Sequence, residues 1–149
     1  MESFSSKQFN ASISQIVDQP HVLLVDDDPN TLNYLGTMFG ACKCLVSTSV
    51  SERVLQILEY IYAHRTKLNM ICVNYKSSES GLNGYELLVQ FKRSGSAAKD
   101  VPVVIYCHDP NPDQQIELNN CMIAGASMVF EKSLIMLAEV VDLMKRIQQ

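Results

Sequence analysis

Five short, largely apolar runs, at residues 21–25, 44–46, 70–73, 101–106 and 128–130, limit what this chain can fold into. Their apolar character is nearly unbroken, where a half-exposed strand would alternate. Such strands belong to parallel sheets with both faces covered. A segment with helical spacing follows each run. Leu32, Leu35 and Phe39 share one helical face, as do Val54, Leu58 and Ile61, then Leu87, Leu88 and Phe91. Residues 112–124 are helix-like, with Pro112 at a first helical position, and residues 134–148 form a last helix that Ser133 caps. Right-handed crossovers put such helices on both faces of the sheet. The predicted fold is therefore α/β: a doubly wound five-stranded parallel sheet, flavodoxin-like in order, inside a three-layer sandwich. Residues 22–25, 70–73 and 101–106 are its expected interior strands. The domain is expected to span residues 21–149. Residues 1–20 form an N-terminal extension, in which Phe9, Ile13, Ile16 and Val17 fit either a short amphipathic helix or a frayed tail.

Composition narrows the function classes. At 149 residues the chain suits one domain with a sizeable core. Twelve Lys and Arg against 16 Asp and Glu leave a net charge of -4, which argues against a basic nucleic-acid binder or an anionic-membrane binder. No apolar run approaches the roughly 20 residues of a membrane span, and the first residues hold no apolar leader core. Five scattered cysteines, an odd number, read as reduced thiols of an intracellular protein rather than a disulfide scaffold. A cytoplasmic location is expected, with the nucleus also open.

Ligands of doubly wound sheets bind beyond the carboxyl ends of the strands, so chemistry is sought there. The first run ends in Asp26, Asp27 and Asp28, the third in Asn74, the fourth in Cys107 and His108, and the fifth in Lys132 and Ser133. Asp28 has an ordinary structural role as N-cap before Pro29. Asp26 and Asp27 have no such local role. They are either oxygen ligands for Mg²⁺ or a solvated acidic turn. Lys132 is either an ammonium delivered to the same edge or a surface lysine. Ser49 and Glu52 match a capping box. Cys42 and Cys44, if placed on a strand, point to opposite faces and form no metal clamp. Ser77, Ser78 and Ser80 beside Glu79 are either kinase targets or a plain loop, and His108 is either a ligand at the pocket mouth or a solvent-facing side chain.

HVLLVDDDP, GLNGYELL, VPVVIY and GASMVFEK, in this order and spacing, resemble the receiver domain of two-component response regulators. The resemblance covers residues 21–148. The stretch GYELLVQFKRS…KDVPVVIY is also similar to small stand-alone plant response regulators. The resemblance implies phosphoryl transfer from a phosphohistidine to an aspartate at the end of the third strand. It also implies an acidic pair holding Mg²⁺ (here Asp26 and Asp27) and a lysine pairing with the phosphoryl group (here Lys132). The acceptor position falls on Asn74. A carboxamide oxygen is neutral and a far weaker nucleophile than a carboxylate, and its loss of charge removes a metal ligand.

Other positions depart from the family too. Cys107 stands at the Thr or Ser position and is only a weak hydrogen-bond donor. Lys132 is followed by Ser133 instead of the usual proline. Val129 takes the aromatic switch position, with Phe130 beside it. The loop YKSSESGLNG is longer than usual. The expected function is a pseudo-receiver that binds partners without accepting phosphate and needs no cofactor, with at best a weak Mg²⁺ site at Asp26 and Asp27. The implied partner is a histidine-phosphotransfer protein or a sensor kinase. In the last helix, Leu137, Val140, Val141 and Met144 form one apolar face, with Met136, Leu143 and Ile147 beside it. That surplus is either core or, with the last strand, a dimer or output surface. One alternative is an active receiver whose acceptor is Asp26 or Asp27. A remote one is a haloacid-dehalogenase-type phosphatase, which LVDDDPNT resembles, but it needs Thr or Val in place of Asn30 and a later acidic pair.

Overall fold

The computed structural model describes residues 19–64, 66–76 and 81–130, together with Glu139, Asp142 and Arg146. The strands are β1 (His21–Val25), β2 (Leu45–Ser49), β3 (Met70–Asn74), β4 (Val103–Tyr106) and β5 (Met128–Phe130). The helices between them are α1 (Pro29–Ala41), α2 (Val54–Ala63), α3 (Gly84–Phe91) and α4 (Pro112–Ile123), with a 3-10 turn at Ser51–Arg53 leading into α2. All strand pairs are parallel, in the order β2-β1-β3-β4-β5. The three expected interior strands are interior, and the sheet is the doubly wound one predicted.

The period of two within each strand sorts the core into two layers. Val22, Leu24, Met70, Cys72, Val104 and Tyr106 face one way and pack with Leu35 and Phe39 of α1. Leu23, Val25, Ile71, Val73, Val103 and Ile105 face the other way. They meet Val54, Leu58 and Ile61 of α2, Leu87, Leu88 and Phe91 of α3, and Leu118 and Cys121 of α4. Each fully buried aliphatic or phenyl side chain contributes about 1.5–3 kcal/mol, so these layers hold the sheet edge in place.

Several local expectations shift. β2 begins at Leu45 rather than Cys44, because Lys43 takes a left-handed conformation (φ 65) that closes α1. The Lys43 amide donates to the Gly40 carbonyl and the Cys44 amide to that of Phe39. Cys42 and Cys44 therefore flank a helix end and do not lie together on a strand. β4 begins at Val103, since Val101 is still in a turn, its amide donating to the Ala98 carbonyl. The Ser49–Glu52 capping box does not form: the Ser49 hydroxyl donates to the Val50 carbonyl. Two other boxes do form, Asn83 with Glu86 on α3 and Asn111 with Gln114 on α4. Asp28 caps α1 as expected, accepting from the Asn30 amide and the Thr31 hydroxyl. These bonds, that of Thr31 first, hold its carboxyl below the ordinary aspartate range.

Residues 1–18, Lys132, Ser133 and the serines at 77, 78 and 80 lie outside the described residues. So does the apolar face expected on the last helix. Glu139, Asp142 and Arg146 are helical and exposed.

Candidate functional site

The strand register aligns the carboxyl edge. Val25 pairs with Val73, Asn74 with Tyr106, and Tyr106 with Phe130. Asp26 follows β1 directly and is 3% exposed. Its Oδ1 accepts the Asp28 amide at 2.9 Å. Its Oδ2 accepts two donors, the Tyr106 hydroxyl at 2.6 Å and the Asn74 amide nitrogen at 3.1 Å. Three donors offset the desolvation of this buried carboxylate. Burial, and the Asp26 charge beside it, push the Tyr106 hydroxyl well above the ordinary tyrosine range, so it stays a proton donor.

Asn74 uses both ends of its carboxamide. While the nitrogen donates to Asp26, Oδ1 accepts the Lys76 amide at 3.1 Å. An aspartate at 74 would set a second carboxylate against Asp26 at hydrogen-bond range, where like charges repel.

Asp27 points elsewhere. Its Oδ1 accepts the Ser51 amide at 2.8 Å, and its carboxylate accepts the Ser51 hydroxyl at 2.9 and 3.1 Å. The residue thus caps the 3-10 turn from across the fold, supplying what Ser49 does not. The view that Asp26 and Asp27 lack structural roles is corrected by these bonds. Gly81, returning from the loop after β3, lies so close to the Ser51 hydroxyl that a Cβ there would collide with it.

Cys107 is fully buried and belongs to the α2–α4 layer, with its amide on the Phe130 carbonyl at 2.9 Å and its thiol 3.9 Å from the His108 carbonyl. Tyr106, its neighbour, faces the opposite layer. Val129 and Phe130 are likewise divided between the two layers, so Phe130 cannot take the place of the aromatic missing at 129. His108 is exposed and pairs with exposed Asp109 at 3.2 Å. The structure therefore joins Asp26 to Asn74, turns Asp27 to Ser51, and sets Cys107 into the core.

Three participants went unread in the sequence. Tyr106 looked like the end of an apolar run, although its parity matches Asn74. Lys76 bridges β3 to the loop after β4, its ammonium donating to the carbonyls of His108 at 2.6 Å and Asp109 at 3.3 Å. Glu117 Oε1 accepts both the Tyr75 hydroxyl, at 2.6 Å, and Asn83 Nδ2, at 3.0 Å.

No protein-family model and no curated protein matches the sequence. Solved structures do match. A signal receiver domain of a Syntrophus aciditrophicus signal-transduction histidine kinase aligns with a TM-score of 0.68 and 16% identity, covering 87% of this chain and 89% of that one. A two-component response regulator from Clostridium difficile gives 0.63 and 18%, covering 86% and 97%. The Vibrio cholerae chemotaxis protein CheY4 gives 0.64 and 15%, covering 87% and 98%. The fold is that of a response-regulator receiver domain.

On this receiver fold the carboxyl edge does not suit a divalent cation. Mg²⁺ wants carboxylate oxygens with open lone pairs in octahedral array. Asp26 Oδ2 already accepts two hydrogens, Asp27 is turned to Ser51, and Asn74 carries no charge. Among the described residues, no group of three or more His, Cys, Asp or Glu side chains converges on a cation position. Nor, among them, is any helix long and apolar enough to cross a membrane.

Proposed function

We propose that this chain is a non-catalytic receiver module of two-component or phosphorelay signalling. It binds its partner without taking phosphate. The observation that carries this reading is the Asn74 carboxamide at the end of β3, hydrogen-bonded to Asp26. Formation of an acyl phosphate needs an anionic oxygen free to attack in line. Here the oxygen of residue 74 is neutral and already accepts the Lys76 amide. Asp26 and Asp27 make poor substitutes, since both are engaged and Asp26 is buried. Cys107 in the core and Val129 in the switch position support the same reading, because neither can relay occupancy of the edge to the surface. Such a module acts by occupancy, and its regulation lies in its abundance. A histidine-phosphotransfer protein or a sensor kinase is the partner class that this fold implies.

The test is incubation with a phosphorylated phosphotransfer protein and Mg²⁺, followed by intact mass and size-exclusion analysis. The expected result is no gain of roughly 80 Da, the mass of one phosphoryl group, with the partner retained in a complex. A hydroxylamine-labile adduct of that mass on the wild-type chain overturns the reading and favours another acceptor. Failure of every phosphotransfer protein and sensor kinase tried to bind removes the partner assignment.

A further inference from the structure

We propose that Tyr106, as much as Asn74, seals this edge against divalent cations, so that replacing either residue alone leaves Asp26 Oδ2 still engaged. The proposal rests on the non-catalytic reading and assigns that site a second closing group.

Lone pairs carry the argument. A carboxylate offers about four acceptor positions on its two oxygens. Asp26 has three in use, and both on Oδ2, the oxygen that meets residue 74, are taken by Tyr106 and Asn74. A cation shared between Asp26 and residue 74 through that oxygen must displace one of its two donors. The Tyr106 donor is held firmly. Its ring is 3% exposed, packed in the α1-side layer with Val104 and Cys72, so the hydroxyl cannot swing to water. At 2.6 Å to an ionised acceptor it is a short, charge-assisted bond of the strong kind.

The single variants then fail for different reasons. Asn74→Asp removes one donor and adds a charge, but the Tyr106 hydroxyl still occupies Oδ2 and can be shared between the two carboxylates. Tyr106→Phe frees one lone pair, but the Asn74 nitrogen still donates to Oδ2 and the site still lacks a second charge. Asn74→Asp already presents two facing carboxylates, but only the double variant also leaves both acceptor positions of Asp26 Oδ2 open to a hard cation. The effect of the two substitutions on cation binding is therefore non-additive, as befits residues sharing one acceptor atom.

The experiment measures Mn²⁺ binding by electron paramagnetic resonance and Mg²⁺ binding by calorimetry on four proteins: wild type, Asn74→Asp, Tyr106→Phe and the double variant. The double variant is expected to bind either ion about tenfold or more tightly than each single variant, with wild type weakest. Binding by Asn74→Asp alone that equals the double variant overturns the role of Tyr106. So does a double variant no better than wild type. If the double variant does not fold in metal-free buffer, Tyr106→Met in the same Asn74→Asp background also lacks the donor and is measured instead. Wild type gives an independent readout. The Tyr106 hydroxyl proton should resonate as a slowly exchanging signal that millimolar Mg²⁺ leaves in place, and its loss on adding Mg²⁺ contradicts the proposal. Phosphate acceptance by wild type, which would sink the non-catalytic reading, is read by mass and does not enter these measurements.

Discussion

The hydroxyl of Tyr75 donates to Glu117 Oε1 at 2.6 Å, joining the end of β3 to the middle of α4. The same oxygen accepts Asn83 Nδ2 at 3.0 Å, so the loop after β3, the start of α3 and the body of α4 meet on one atom. Tyr75 is 6% exposed, and its hydroxyl has little access to water as a substitute.

Glu117→Ala should therefore be costly for an α4 position. It leaves a nearly buried hydroxyl without its acceptor, which costs about 1–3 kcal/mol. Glu117→Gln keeps an acceptor oxygen and should lose about 1 kcal/mol or less. Burial, with Glu117 beside it, raises the proton affinity of Tyr75. Removing the charge in Glu117→Gln should thus let Tyr75 ionise at a less alkaline pH than in wild type. Urea unfolding checks the stabilities and absorbance near 295 nm checks the ionisation. A Glu117→Ala protein as stable as wild type would show that the shared oxygen holds nothing.

The two asparagine capping boxes offer a controlled comparison. Asn111 caps α4 through its Oδ1 on the Gln114 amide. Asn83 does the same for α3 with the Glu86 amide and, in addition, donates to Glu117. Asn111→Ala should cost about 1 kcal/mol, the usual price of a lost cap. Asn83→Ala should exceed it by roughly 0.5–1.5 kcal/mol, the worth of one more hydrogen bond. Equal losses in urea midpoints would mean the Asn83–Glu117 bond is not formed in solution.

How much of this was legible depends on where each interaction closes. The strands and helices follow from unbroken apolar runs and helical spacing, which are local signals. The Asp28 cap was legible for the same reason, acting two and three residues ahead. Tyr106 and Asp26 lie 80 positions apart, and an aromatic residue ending an apolar run reads as core until the register is known. The role of Asp27 was hidden likewise, because the turn it caps begins 24 residues later. The capping boxes at Asn83 and Asn111 were legible as Asn followed three residues on by Glu or Gln. Pro112 marks the first position of α4 in the sequence, as the structure has it, and the cap is the residue before it. The fit of the edge to a cation was least legible, since acidic residues at a strand end do not reveal what donates to them.

Two glycines should respond oppositely to alanine. A Cβ at Gly84 would lie 2.7 Å from the Tyr75 Cα, where the Gly84 amide donates to the Tyr75 carbonyl at 2.8 Å. Backbone cannot yield as a side chain can, so Gly84→Ala should lose about 1–3 kcal/mol, the range of an overpacked site. Gly40 sits in α1 with nothing within 4 Å of its added Cβ. There alanine should gain about 0.5–1 kcal/mol through helix propensity and a less flexible unfolded chain. Thermal unfolding of the two variants reads both signs at once. A stabilised Gly84→Ala would mean that β3 and α3 are not drawn together as described.

His21 makes stability depend on pH. Its ring is buried at the amino end of β1, with Nε2 2.7 Å from the Ser47 hydroxyl and Nδ1 without a hydrogen-bond partner among the described residues. Burial lowers its pKa from the ordinary value of 6.5. Below 6.5 the unfolded chain takes up a proton here while the folded chain resists, so the unfolded state binds more protons and stability rises with pH. The contribution is fully present above pH 6.5, falls as pH drops through that value, and levels off below the lowered folded pKa. His21→Gln removes the titrating group, and the difference between its urea midpoint and that of wild type, followed from neutral pH to about 5, isolates the effect from the carboxylates. The midpoint of wild type should decline relative to the variant on acidification. A constant difference across that range would mean that His21 titrates alike in the folded and unfolded chains, and that its burial imposes no penalty on charge.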